Sequence, residues 1–467
     1  MRGKLKARIT RRNFQKPFGG FLAASLAAVL LVAVSASARR QPIEPNTTHP
    51  DNRITSDLTG SVPTHDGDHI RVKTDLGSIN IHTRNSDKSG TVDYHVHLET
   101  DGSQKGAQEL LKSFTISART TSEGVLLKAE GPERRGAGRI WVTLDLQIPK
   151  NSNVDVSTGG GNIDSSEIEG RVSLSTAGGN ITAGDIGGPA HLDTGGGNII
   201  AKNVAGELYA KTGGGHITIG SVSGDATLHT GGGHIRVASV QGTAHFETGG
   251  GNITLEHSGA ELTAETGGGE IEVGEAAGLV RARTSGGGIR VVRTFGPTDL
   301  ETSGGSIYLT QVDSAVKAST SDGGITAWFV TPTKTSGTCE LESASGDITV
   351  HLPRALPVTI DALVLKGGDH RVIVDPAFPL KVSYDDSLKG AHIVRAEGDL
   401  NGGGEIIRLR TVAGNIRFVL SDSNAQSEMS RQQMLQLQQQ MEHSRQNRQQ
   451  QMEQQSQPSD EGSEDSH

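Results

Sequence analysis

Two columns of side chains in this sequence have the residue types for chemistry. The first reads Asn162, Asn180, Asn198, His216, His234, Asn252 and Glu270, one residue in every 18. The second, at the same spacing, reads Asp193, Lys211, His229, Glu247, Glu265, Arg283 and Glu301. Imidazole nitrogens and carboxylate oxygens are ordinary ligands of Zn²⁺ and similar ions, so His216, His234, His229 and Glu247 form a candidate metal set. Against it stands the free exchange of His with Asn and Glu along the column, as in a solvated polar ladder. Glu247 and Glu265 would stand about 5 Å apart on stacked coils, near the separation used by retaining glycosidases. Lys211 and Arg283 interrupt that acidic run and no aromatic platform for a sugar lies nearby, which favours an ordinary charged surface. No Ser-His-Asp or Cys-His pairing emerges. Cys339, the only cysteine, reads as a small core residue.

The spacing itself says what must position these columns. A threonine recurs with the same period from Thr158 to Thr320, by way of Thr176, Thr194, Thr212, Thr230, Thr248, Thr266, Thr284 and Thr302. An isoleucine follows each at a constant offset, from Ile163 through Ile199, Ile217, Ile235, Ile253 and Ile271 to Ile325. Between them sits a glycine corner, most often "TGGG". Around both anchors apolar and polar residues alternate, as in Ile217-Thr218-Ile219 and Ala226-Thr227-Leu228, the period of a strand with one face inward. Two short strands and two corners per repeat make one 18-residue coil of a parallel β-solenoid, an all-β fold in which each coil stacks only on its neighbours. Inward Thr is expected to form a hydroxyl column. The glycines are expected to supply backbone angles that other residues resist and to let corners stack closely. A phosphate-cradling loop is excluded, since such a loop occurs once and opens a helix.

Composition agrees. Aromatics are 3% and Gly 63 of 467 residues, so the core must be thin and built of small and β-branched side chains. Residues 1–38 read as an export signal: seven basic residues and no acidic one, an apolar run, and a small-residue cleavage site at Ala36-Ser37-Ala38. Within it "TRRNFQK", with Arg11 and Arg12 as the pair, resembles the twin-arginine export motif. Left uncleaved, the same run is long enough to anchor the chain in a membrane. Without it, 37 basic face 53 acidic residues, a formal charge of −16 that argues against a nucleic-acid partner. One cysteine excludes an intrachain disulfide.

The remaining segments divide as follows. A flexible linker is expected over 39–65, an N-terminal β segment capping the solenoid over 66–150, regular repeats over 151–330, irregular coils over 331–421, and a Gln-rich low-complexity tail over 422–467. Thr74 and Ile79 show the same offset as the Thr and Ile of the array, so the fold is expected to begin near His69. "SQKGAQELLKSFTI" (Ser103 to Ile116) reads as one short helix. Ile348 resumes a coil after Ile325, delayed beyond the period by a five-residue insertion. The tail places Met434, Leu437 and Met441 at helical spacing, which suits weak self-association or disorder.

"LDLQIPKNSNVDVSTGGGNI", the following "TGGGNI" coils, "SASGDITVHLP" and "TVAGNIRFVL" together resemble the bacterial putative-adhesin family of glycine-rich solenoids, over roughly residues 66–420. The resemblance implies a cell-envelope protein of unknown function and brings no catalytic residue. The expected function is thus a non-enzymatic exported solenoid, in the periplasm or at the cell surface, that needs no cofactor and engages an envelope protein, glycan or cell-wall polymer. A polysaccharide-active β-helix enzyme and a self-assembling structural rod are the alternatives.

Overall fold

The computed structural model describes residues 54–84, 90–101, 104–131, 139–330, 337–366, 370–385 and 392–421. The segment expected to direct export, with Arg11, Arg12, Ala36 and Ala38, and the Gln-rich tail lie outside them.

The array is the expected parallel β-solenoid. In the coil 226–240, Ala226, Leu228 and Thr230 point inward, the chain turns through Gly231–Gly233, and Ile235, Val237 and Val240 point inward from the return strand. Each strand pairs in parallel with its equivalent in the next repeat, so that Ile217, Ile235 and Ile253 stack in one sheet and Thr212, Thr230 and Thr248 in the other. The inward Ile column is essentially fully buried from Ile163 to Ile416. Phe246 fills a place that is Leu228 before it and Ala264 after it; the small neighbour leaves room for the ring, which is fully buried.

Neither sheet closes on itself. The first, which holds the isoleucine column and is 17-stranded, runs from the edge strand Ile54–Pro63 to the edge strand Val372–Val374. The second, which holds the threonine column, runs from Thr115–Thr121 to Lys381–Asp385. At both ends spatial order departs from sequence order. Thr74 stacks on Thr158 and Ile79 on Ile163, so the coil of Thr74 continues the array directly, while the chain between folds back outside it. At the other end Ile348 stacks on Ile325, as expected from the resumed pattern, and Ile416 stacks on Ile348. Strand Val358–Val364 then covers Glu405–Thr411, and antiparallel strands finish the stack.

Three expectations need correction. The linker over 39–65 is in part a strand: Ile54–Pro63 pairs antiparallel with Thr91–Thr100 and buries Val62. Its alternation is diluted by Gly60, whose place is dictated by Tyr94 opposite, since a Cβ there would lie 2.2 Å from the phenol oxygen. The short helix is Gln104–Ser113, and Ile116 belongs to the strand that follows. The corner glycines, finally, are not there for left-handed backbone: none of the described array corners has a positive φ. Close stacking accounts for them. A Cβ on Gly233 would stand 1.9 Å from the carbonyl oxygen of Gly215 in the coil before, whereas one on Gly232 would meet nothing within 4 Å.

Candidate functional site

The glycine corner carries both candidate columns, and its construction begins with the buried threonine. Thr230 Oγ1 donates to the Gly215 carbonyl of the preceding coil at 2.8 Å and accepts the Gly233 N–H of its own corner at 3.2 Å. The same pair of bonds recurs at Thr194, Thr212, Thr248, Thr266, Thr284, Thr302 and Thr320. The hydroxyls therefore bond to corner backbone and not, as a hydroxyl column would, to one another.

The outer column completes the corner. Asn162 Oδ1 accepts the backbone N–H of Asn180, Asn180 Oδ1 that of Asn198, and Asn198 Oδ1 that of His216, at 2.8–2.9 Å. The histidines continue the same bond: His216 Nδ1 accepts the N–H of His234 at 2.9 Å and His234 Nδ1 that of Asn252 at 2.8 Å. An amide N–H can only donate, so both Nδ1 atoms are unprotonated acceptors and the rings carry their proton on Nε2. His and Asn exchange along the column because each offers an acceptor at the same distance from Cα. The two rings stack at 5.0 Å, 5° from parallel. Burial, the neighbouring His216 and Arg236 hold the His234 imidazole below its ordinary range.

Across the corner His229 Nδ1 lies 3.2 Å from Glu247 Oε2. The four metal candidates thus meet as two pairs, His216 with His234 and His229 with Glu247. Among the described residues no group of three or more His, Cys, Asp or Glu is arranged to hold a metal ion. Glu247 and Glu265 are in-register neighbours. They line an open trough of about 410 Å³ together with Arg283 and Glu301. Arg283 reaches Glu265 at 3.8 Å, Asp299 at 3.5 Å and Glu301 at 3.2 Å, so the acidic run is crossed by its own counter-charge. Cys339 is buried, and burial pushes its thiol up to about 11, far from a nucleophile at neutral pH.

Two groups of outward residues escape a reading of the repeat alone. Along the first sheet, four neighbouring coils pair an aromatic ring with a cation or an imidazole: Arg290 over Tyr308, Arg293 over Phe295, and Trp328 stacked on His351 at 4.5 Å. Tyr308 and Phe295 remain exposed. Before the array, His95 and His97 stand with Asp57 on the outward face of the same sheet. Alternation within "TVDYHVHLET" places both histidines on one face, a signal that the sequence does carry.

Residues 67–294 match the model of the Toastrack DUF4097 family. This stretch is a Toastrack domain. It takes in the whole N-terminal β segment from Gly67 onward and the array as far as Thr294. No curated protein matches the chain. Among solved structures, one described as a putative adhesin from Bacteroides fragilis NCTC 9343 is 13% identical, aligning 54% of this chain with 96% of its own at a TM-score of 0.26. A putative cell adhesion protein from Clostridium sporogenes ATCC 15579 is 9% identical over 79% and 100% of the two chains, with a TM-score of 0.16. A putative adhesin from Parabacteroides merdae ATCC 43184 is 14% identical over 60% and 92%, with a TM-score of 0.22. Among the described residues no helix is long and apolar enough to cross a membrane.

Proposed function

We propose that this protein is an exported, non-enzymatic solenoid of the cell envelope that works by presenting its long outward faces to a partner: another envelope protein, a glycan or a cell-wall polymer. One observation carries the reading. The side chains of the repeat best suited to chemistry are already used by the fold, the threonine hydroxyls on glycine carbonyls and the Asn and His acceptors on the amides of the next coil. What is left for function is surface. The paired aromatic and cationic side chains around Tyr308, Phe295 and Trp328 supply the residue types that dominate binding energy at interfaces. The basic and apolar segment over residues 1–38 supports export.

The test is a binding screen of the protein lacking residues 1–38 against cell-wall, glycan and envelope-protein preparations, with EDTA and with added Zn²⁺ or Ca²⁺. Saturable binding that weakens on Tyr308→Ala supports the reading, and metal-dependent binding that His216→Asn abolishes brings the corner imidazoles into it. Absence of binding under every condition refutes it. Cell fractionation of the full chain, with recovery in the cytosol alone, refutes export.

A further inference from the structure

The outward face of the first sheet carries a set of titratable groups outside the array, on strands Ile54–Pro63, Thr91–Thr100 and Ile140–Pro149. Asp57 lies opposite His97 in one ladder and Asp145 opposite His95 in the other. A single oxygen, Asp57 Oδ1, sits 3.0 Å from His95 Nε2 and 2.8 Å from His97 Nδ1. The remaining ring nitrogens also face carboxylates: His97 Nε2 is 3.1 Å from Glu99 Oε1, and His95 Nδ1 is 3.6 Å from Asp145 Oδ2.

We propose that these groups form a proton-operated latch on the edge strand Ile54–Pro63, closed while His97 is protonated and opened when it loses its charge. A carboxylate only accepts, and a neutral imidazole has one N–H. A ring bracketed by two carboxylates can satisfy both only as imidazolium. With His97 charged, it and its two carboxylates, Asp57 and Glu99, sum to −1; with it neutral they sum to −2, all on one half-exposed patch. Deprotonation therefore removes a donor and leaves mutual repulsion between Asp57 and its neighbours. The hydrogen bond to Asp57, and to a lesser degree that to Glu99, holds His97 above its ordinary imidazole range against a smaller opposing effect of burial, which is the direction the latch requires.

The other charged or titratable groups on this face do not supply a substitute. Asp93 is bound by Arg84 and by Ser61, and Asp145 accepts from Asn80 Nδ2 at 2.8 Å. His82 and Asp164 lie further along the face, on the far side of strand Ile140–Pro149. The helix Gln104–Ser113, which touches strands Ile54–Pro63 and Thr91–Thr100, presents Glu109 and Lys112 and turns Leu111 into the core. The edge strand has one described ladder, to Thr91–Thr100, and Asp57 is the only titratable side chain it contributes. Its release would uncover the ladder of Thr91–Thr100 for pairing with another strand.

Hydrogen exchange on the full chain tests this. Protection of amides 54–62 is followed from pH 5.5 to 8.5 and referred to strand Val280–Thr284 to cancel intrinsic base catalysis. The wild type is expected to lose roughly three- to tenfold in relative protection across that range, the scale of a few partly exposed ion pairs. The double variant His95→Asn/His97→Asn, whose amides donate without titrating, is expected to give a flat profile, and Asp57→Asn a low one throughout. A wild-type profile that does not fall, or a fall that persists in the double variant or in Asp57→Asn, overturns the proposal. So does a fall that EDTA or added Zn²⁺ shifts, since the imidazoles would then serve a metal.

Discussion

Replacing Thr230 by Val tests the internal logic of the corner with almost no change of shape. Both side chains are β-branched and of similar volume, and Thr230 is fully buried. What changes is one hydroxyl that serves two backbone groups, the Gly215 carbonyl and the Gly233 N–H, both in buried residues. Each group left without a partner costs about 1–3 kcal/mol, and the added methyl recovers a part of that. The expected loss is about 2–4 kcal/mol. Thr230→Ser keeps the hydroxyl and removes a methyl, so it should cost about 0.5–1.5 kcal/mol. Thr227→Val, outward on the same strand, should stay within about 0.5 kcal/mol of the wild type. Urea unfolding followed by far-UV circular dichroism gives the order, with exchange of the Gly233 amide as a local readout, because a solenoid need not unfold in one step. A Thr230→Val midpoint equal to that of Thr227→Val, or higher than that of Thr230→Ser, would refute the claim that the hydroxyl is what the corner needs.

The glycines and histidines give further outcomes. Gly232→Ala should be neutral within about 0.5 kcal/mol, because nothing lies within 4 Å of its new Cβ, whereas Gly233→Ala drives a Cβ to 1.9 Å from Gly215 O and should cost several-fold more in the same unfolding assay. Both Gly233→Ala and Thr230→Val act on that one carbonyl, so their double variant should fall well short of additivity. His234 is held below its ordinary range in the folded chain, so the unfolded chain takes the proton first. Its contribution is intact above about pH 6.5 and is lost as pH falls through the folded value. His234→Asn, which keeps the acceptor but cannot titrate, should reduce the acid sensitivity of the melting temperature between pH 6.5 and 5. An unchanged pH profile would count against the Nδ1 acceptor role. His97 has the opposite sign, being stabilising at low pH and lost as pH rises.

The array is legible because its constraints are local and repeated. Thr158, Ile163 and their successors each meet the same inward environment, so a constant period in sequence is a stacking vector in space. The ends are less so. Thr74 and Ile79 display the right offset, but nothing in the intervening residues states that they stack on Thr158 and Ile163 across a folded-back segment. Strand Ile54–Pro63 reads as linker because Ser56 and Gly60 hold inward positions that carry apolar side chains elsewhere, and the reason for Gly60 is Tyr94, on the strand across from it. The equivalence of Asn and His is visible as a pattern but not as a bond, since it depends on which atom points along the solenoid axis.

That equivalence also explains why the candidate site is hard to weigh from sequence. In a stacked fold every outward residue has a neighbour of the same position about 4.8 Å away, so any column of polar residues will contain pairs at ligand-like or glycosidase-like separations. Proximity within a column is therefore weak evidence of a site. The informative residues are those that break the column rule without being required by the backbone. Asp57, His95 and His97 lie on strands before the array and bond to one another instead of to the next coil's amides. Arg290, Tyr308, Arg293 and Phe295 put rings and guanidinium groups in columns that hold Thr218, Ser221 and Ser223 in an earlier coil. Neither group is needed to close a coil, and so both are where selection for something other than folding would have to act.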